Sequence, residues 1–161
     1  MSSSGKYELT FFTNELYKDI IIDSLRFMVQ NNRINLHAFV IMNSHLHLVW
    51  NIIPPNEANE MQRDFLRFTA KATIKDLKNN NTDLLTDFYV NAKDRKCQVW
   101  ERHPLSVDIW TEEVLKQKLD YVHNNPVKAG YCSYAKEYKY STAALYQSMP
   151  CEWDYVVQRF L

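Results

Sequence analysis

The chain has 161 residues, enough for one domain with a sizeable core and too few for two ordinary ones. Its 19 Lys and Arg residues balance 19 Asp and Glu residues, and this zero net charge argues against a histone-like or polybasic nucleic-acid binder. Only 2 glycines occur, which excludes P-loop and dinucleotide-binding folds because a phosphate-cradling loop needs several glycines close together.

The first half of the chain predicts a strand, a helix and a β-hairpin. Strand-forming residues over 7–13 predict the first strand, and apolar residues at helical spacing predict a helix over 14–31. Two alternating segments, 33–42 and 45–52, flank the turn Asn43–Ser44 and predict the hairpin. The alternation places one set of apolar residues on a single face of each hairpin strand: Ile34, Leu36, Ala38, Val40 and Met42, then Leu46, Leu48, Trp50 and Ile52.

The second half predicts two more helices and one more strand. Residues 56–78 predict the second helix, and residues 97–101 predict a fourth strand. Thr111 is a suitable N-cap for a third helix running to about Asn124. The pair Asn125–Pro126 is expected to stop that helix, because the residue before proline disfavours helical dihedrals.

The order of predicted elements is β-α-β-β-α-β followed by a helix, which is typical of an α+β, ferredoxin-like split βαβ fold. In this fold the helices pack on a central antiparallel sheet. We expect a single domain over residues 1–161, with a flexible tail over 1–6 and a C-terminal extension over 147–161. Three widely spaced cysteines, no apolar leader and no long apolar stretch favour a cytoplasmic protein with reduced thiols.

Two histidines in the second hairpin strand are candidate metal ligands. Residues at i and i+2 of a strand share a face, so His45 and His47 project together while Leu46 enters the core. Two neutral imidazoles on one face form half of a divalent-metal site, and the alternative is a pair of polar residues on a solvated sheet. His37 is a lesser candidate that would neighbour the pair across the hairpin, the alternative being a structural role.

The third predicted helix carries a candidate nucleophile. Tyr121 lies on the flank of the buried stripe, beside Lys118, and Asn125 follows one turn later, so Tyr121 and Asn125 can reach the same point. A tyrosine hydroxyl acts as a covalent nucleophile when a metal polarises its target. Because the chain has 10 tyrosines, a core or surface role is the alternative.

A basic stripe runs along the second predicted helix. Five basic residues against two acidic ones give residues 61–79 a local charge of +3. Such a face can track a phosphate backbone, and an ordinary solvated helix face is the alternative. Three tryptophans are candidates to stack on bases, with core packing expected for at least two of them. The basic residues are Arg63, Arg67, Lys71, Lys75 and Lys78, and the tryptophans are Trp50, Trp100 and Trp110.

Four segments together resemble a known family. They are the His-x-His strand over 39–50, the sequence QVWERHP over 98–104, the sequence YVHNNPVKAG over 121–130, and YKYSTA over 138–143. In this order and at these separations, they resemble the single-tyrosine HUH transposases, and most closely the REP-associated tyrosine transposases. The resemblance covers most of the chain from about residue 7 to residue 146. One departure is Asn43–Ser44, where the family usually has Pro-Asn.

The resemblance implies a metal-dependent enzyme that cleaves and joins single-stranded or hairpin-bearing DNA. His45 and His47 would bind a divalent metal, Mg²⁺ or Mn²⁺, with Asn125 as the third ligand. Tyr121 would attack a phosphodiester, forming a 5′-phosphotyrosine link and releasing a 3′-OH. The basic stripe and Lys118 would contact DNA. The oligomeric state, monomer or homodimer, stays open, and no membrane association is expected.

Two alternatives to this enzyme remain. One is a non-catalytic binder of hairpin or single-stranded nucleic acid, because ferredoxin-like sheets with exposed aromatic residues commonly stack bases. The other is a metal-dependent hydrolase in which water, not Tyr121, attacks the phosphodiester.

Overall fold

The fold is that of a computed structural model, which describes the backbone of residues 2–8 and the whole of residues 13–90, 92–93, 96–101 and 104–158. Within these residues the strands are β1 (Ser2–Glu8), β2 (Ile34–Ile41), β3 (His45–Ile52) and β4 (Leu105–Ile109). The helices are α1 (Glu15–Gln30), α2 (Ala58–Asn80), α3 (Thr82–Leu85), α4 (Glu112–Lys128) and α5 (Ala143–Tyr146), with 3-10 turns at Thr86–Phe88 and Ala135–Glu137.

The described strands form an antiparallel sheet in the order β2-β3-β1-β4. Two hydrophobic cores lie on its two faces. The first core joins the sheet to α1 and α2, and the second joins it to α4. This arrangement confirms the predicted α+β ferredoxin-like fold, with α4 as the additional helix on the second face. Among the described residues, none of the helices combines the length and the apolar character needed to cross a membrane.

The first strand begins earlier than the sequence predicts. It covers Ser2–Glu8, so the expected flexible tail over 1–6 is wrong for residues 2–6, and residues 9–12 of the predicted strand lie outside the described residues. This serine-rich segment has few strand-forming side chains. It is held in the sheet by pairing with β3 on one side and β4 on the other, a tertiary contribution that overrides local propensity.

The predicted strand over 97–101 is also wrong. Cys97 forms only an isolated bridge with Tyr89, and the edge strand is β4, further along the chain. Val99 and Trp100 are buried in the first core, and the Trp100 Nε1–H donates to Thr69 Oγ1 at 2.9 Å. The β-forming residues of this segment therefore fill the core against α2 rather than lengthening the sheet.

A bulge in β2 changes which side chains face each core. The β2–β3 register shifts between Leu36 and Ala38, so Leu36 faces α1 and α2 whereas Ala38 faces α4. The prediction that alternate residues from Ile34 to Met42 share one face is therefore wrong beyond the bulge. For β3, whose alternation is unbroken, Leu46, Leu48 and Trp50 lie together in the first core as predicted, with Ile52 packed against them.

The predicted end of the third helix is wrong as well, because α4 continues through Pro126 to Lys128. Burial of Val122, Asn125 and Pro126 against the second face of the sheet offsets the backbone bond that proline cannot make. The helix is terminated two residues beyond Lys128 by Gly130, whose φ of 74° is the left-handed conformation that glycine adopts readily. Its N–H donates to the Val127 carbonyl at 3.0 Å, and the next N–H donates to the Pro126 carbonyl at 2.9 Å, which makes a Schellman motif.

The C-terminal segment packs back onto the outer edge of β2. The Val157 N–H donates to the Leu36 carbonyl at 2.8 Å, and buried Trp153 packs edge-on against Phe39, with ring centroids 5.1 Å apart. The described part of the predicted extension over 147–161 is therefore part of the folded unit.

Candidate active site

His45 and His47 lie on the face of the sheet that carries α4. His47 pairs in register with Val40, which belongs to the core beneath α4, and opposite residues of an antiparallel pair share a face. The two imidazole rings meet edge to face, with centroids 5.1 Å apart. His47 is buried and His45 is half-buried. The structure thus brings the two imidazoles together as the strand alternation predicts.

Asn125 reaches the same point from α4. Its side-chain oxygen Oδ1 lies 3.0 Å from His45 Nε2, and the residue is itself buried. Because α4 does not stop at Asn124, Asn125 lies on the helix face that covers β3.

Tyr121 lies one helical turn before Asn125. Its ring packs edge-on against the His47 ring, with centroids 5.1 Å apart, and 44% of the residue is exposed. The tyrosine is therefore in contact with the histidine pair and open to a ligand from solvent. Lys118, a further turn back on α4, is half-buried.

Lys128 is a site residue that the sequence interpretation missed. Its ammonium nitrogen Nζ lies 5.4 Å from the centroid of the Tyr121 ring, on the last turn of α4. The spacing of seven residues places Lys128 two turns beyond Tyr121 on the same helix face. This spacing is visible in the sequence, but a helix predicted to end before Asn125–Pro126 would not include Lys128.

The Ser44 hydroxyl contacts the His45 ring on the side away from Asn125. Its hydroxyl oxygen lies 3.1 Å from His45 Nδ1, opposite the nitrogen that faces Asn125. When Nδ1–H donates to Ser44, Nε2 presents its lone pair towards Asn125 Oδ1. Histidines that bind metals are generally oriented in this way by a partner on the other ring nitrogen.

The donor set fits a divalent cation. Adjacent ligands of an octahedral ion with bonds of about 2.1 Å lie about 3 Å apart, which is the spacing between His45 Nε2 and Asn125 Oδ1. The described residues contain no group of three or more His, Cys, Asp and Glu side chains that would hold a metal. For a metal held by the two histidines, the third protein donor would be the Asn125 amide oxygen.

A buried lysine anchors the turn that precedes His45. Lys18 Nζ donates to Asn43 Oδ1 at 2.9 Å and lies 3.3 Å from the Tyr138 hydroxyl, which itself donates to the Ile41 carbonyl at 2.9 Å. Burial lowers the pKa of Lys18 and raises the pKa of Tyr138 to about 12. The end of β2 and the turn that follows it are therefore fixed by side chains from elsewhere in the chain.

His37 and His123 lie apart from this site. His37 bonds through Nδ1 to the Val157 carbonyl oxygen at 2.8 Å and through Nε2 to Asn51, so of its two alternatives it has the structural role. It lies at the bulge, where it ties the C-terminal segment to the sheet. His123 bonds to Thr142 at 2.9 Å, and burial lowers its pKa to about 4.

The basic stripe is exposed but lies on the opposite side of the sheet from Tyr121. Its five residues project from α2, whose buried residues belong to the first core. Trp50 and Trp100 are core residues, as expected for at least two of the three tryptophans, whereas Trp110 is 76% exposed.

No protein-family model matches the chain, and no curated protein matches it significantly. Among solved structures, one described as a REP-associated tyrosine transposase bound to a REP hairpin covers 99% of this chain and 88% of its own, with a TM-score of 0.66 and 15% sequence identity. At that identity the likeness is one of fold. The chain thus shares its fold with a REP-associated tyrosine transposase, the kind of protein that its sequence motifs resemble.

Proposed function

We propose that the protein is a metal-dependent single-stranded DNA endonuclease and strand transferase, with Tyr121 as its nucleophile. The observation that carries the proposal is the convergence of Tyr121, His45, His47 and Asn125. Two of these residues come from β3 and two from α4, and the ring and side-chain contacts link all four. Hairpin-bearing DNA is the proposed substrate, supported by the REP hairpin in the structural neighbour.

The two histidines and Asn125 would hold Mg²⁺ or Mn²⁺. Two imidazole nitrogens and one amide oxygen leave coordination positions open to water and to a phosphate oxygen. When bound, the ion would supply Lewis acidity that polarises the scissile phosphate and stabilises the charge developing on it. Ser44 would keep the Nε2 lone pair of His45 turned towards the ion.

Tyr121 would form the covalent intermediate. Its phenolic oxygen attacks phosphorus, the bond from phosphorus to the 3′ oxygen breaks, and the 3′ oxygen leaves as a hydroxyl after taking up a proton. The phenolic proton passes to water during the attack, and water supplies the proton taken up by the 3′ oxygen. The Lys128 ammonium, 5.4 Å from the centroid of the Tyr121 ring, would stabilise negative charge that develops on that ring. The phosphotyrosine ester conserves the energy of the broken bond, so a second 3′-OH can reverse the reaction without ATP.

The test is a denaturing gel with hairpin-bearing single-stranded DNA and Mn²⁺ or Mg²⁺. A 5′-phosphotyrosine retains the fragment on the 3′ side of the cut, so 3′-labelled DNA should yield a labelled protein adduct. The same DNA labelled at its 5′ end should yield a free labelled fragment. Tyr121→Phe should abolish the adduct.

Tyr134→Phe is the matched control. Tyr134 is also exposed and also has a lysine over its ring, Lys136 at 5.9 Å, yet it lies outside the histidine cluster. Its variant should form the adduct at the wild-type rate. DNA binding without any adduct would favour the non-catalytic binder, and cleavage that survives Tyr121→Phe would favour attack by water.

A further inference from the structure

A groove of about 310 Å³ opens between α1 and α2, on the face of the sheet opposite Tyr121. We infer that this groove binds an unpaired nucleobase and its adjoining phosphates, as a second contact for the DNA strand that Tyr121 would cleave. The choice of DNA as the ligand rests on the proposed function, whereas the evidence for the groove comes from residues outside the Tyr121 site.

Two exposed aromatic rings form the sides of the groove. Phe27 on α1 is 55% exposed and Phe68 on α2 is 59% exposed. Beneath them Met28 and Phe65 are buried, which gives the groove an apolar floor. Large apolar side chains left in water on neighbouring helices mark a binding surface, and a nucleobase is a flat apolar ligand that stacks on such rings.

The charged residues around the groove favour binding of an anionic ligand. Arg33, Arg67 and Lys71 line it together with a single carboxylate, Asp64. That carboxylate is already engaged on α2, 3.6 Å from Arg63 and 3.8 Å from Arg67. The groove therefore has an excess of positive charge in a chain whose net charge is zero.

The basic stripe continues from the groove along α2. Lys75 and Lys78 are exposed one and two turns beyond Lys71, so the cations from Arg67 to Lys78 extend over about 16 Å. Aromatic rings beside a linear run of cations are the usual features of a single-strand binding surface, where bases stack and phosphates follow the positive charge. A protein partner would use the rings but has no need for the run of cations beyond them.

The test measures binding of fluorescein-labelled oligothymidine, which forms no hairpin, to Phe68→Ser, Phe27→Ser and the double variant. Each single variant should bind about tenfold more weakly than wild type, and Phe68→Tyr, which keeps the ring, should bind within about twofold. Lys71→Gln should reduce the dependence of binding on salt, which the phenylalanine variants should leave unchanged. Because both phenylalanines are about half-exposed, each variant should fold, and thermal melts will check this.

The outcomes separate this inference from the proposed function. If the double variant binds oligothymidine with wild-type affinity, the groove is not a DNA-binding site, whether or not the Tyr121 adduct forms. Weakened binding in a protein that forms no adduct would support the groove and overturn the catalytic proposal. If the substitutions instead changed the sedimentation of the protein without changing DNA binding, the groove would be an interface between protein chains and the inference would be wrong.

Discussion

The side-chain oxygen of Asn125 lies 3.0 Å from Nε2 of His45, although the two residues are 80 positions apart in sequence. The contact depends on α4 continuing past its expected end, because Asn125 and Pro126 are buried inside the helix rather than in a turn. A helix that stopped at Asn124 would leave His45 without this contact from α4.

The hydroxyl of Ser44 is expected to tune metal binding through His45. Ser44→Ala removes the partner of Nδ1, 3.1 Å away, and should weaken Mn²⁺ affinity by about tenfold, as measured by isothermal titration. Ser44→Thr keeps a hydroxyl and should retain most of the affinity. Equal Mn²⁺ affinities for wild type and Ser44→Ala would show that the serine does not orient the ring.

Lys128 is expected to act on the chemical step and not on metal binding. Lys128→Met should slow adduct formation under single-turnover conditions by about fivefold to tenfold, because the cation near the Tyr121 ring is lost. Mn²⁺ affinity should not change. Lys136→Met, which removes the lysine over the Tyr134 ring, is the control and should leave the rate unchanged. A parallel loss of rate and metal affinity in Lys128→Met would instead indicate a general disturbance of α4.

His123 is expected to make the fold sensitive to acid. The Thr142 hydroxyl accepts the Phe39 N–H and lies 2.9 Å from His123 Nε2, so Thr142 links the His123 ring to the β2 backbone. Burial lowers the pKa of His123 to about 4 in the folded chain, below its ordinary value of 6.5. The folded state thus favours the neutral ring.

Protonation of His123 makes the free energy of unfolding depend on pH. Above about pH 6.5 the ring is neutral in both states, and the full stability is present. As the pH falls from 6.5 towards 4, the unfolded chain takes up a proton that the folded chain does not, so up to about 3 kcal/mol is lost. His123→Gln, which keeps an N–H donor, should show a shallower loss in urea denaturation over this range. Parallel pH profiles for the two proteins would contradict the assignment.

Lys18 is expected to position His45 through the preceding turn. Lys18→Met fills the same space but removes the bond to Asn43, and should weaken Mn²⁺ affinity by about threefold to tenfold. The free energy of unfolding should change by no more than about 1 kcal/mol, because a desolvated charge is removed together with its bonds. Lys136→Met is the control, since Lys136 is exposed and lies over the Tyr134 ring. A large loss of stability with unchanged metal affinity would assign Lys18 a purely structural role.

Features with a local signal were predictable from the sequence. The start of α1 is one, because the Asn14 side chain accepts the Leu16 N–H as its N-cap position requires. The pairing of His45 with His47 is another, because it depends only on strand alternation, and the proximity of Tyr121 to Asn125 depends only on helical spacing.

Features decided by tertiary packing were not predictable in this way. The passage of α4 through Pro126 depends on burial against a sheet formed by distant residues. The entry of Ser2–Glu8 into the sheet depends on partners on both sides, and the placement of Trp100 in the core depends on Thr69 of α2. Lys18 lies on the buried face of α1, where neither its spacing nor its charge indicates a contact with the turn before His45.

The bulge in β2 decides which side chain lies opposite His47 beneath α4. With it, the residue opposite His47 is Val40. If His37 were instead paired regularly, the register that begins at Leu36 and Trp50 would place Phe39 opposite His47, and a phenyl ring would project into the layer between the sheet and α4. That layer is where the Tyr121 ring contacts His47. The bulge on the neighbouring strand thus places a valine, and not a phenylalanine, beside the position where an aromatic side chain and an amide from α4 contact the two imidazoles.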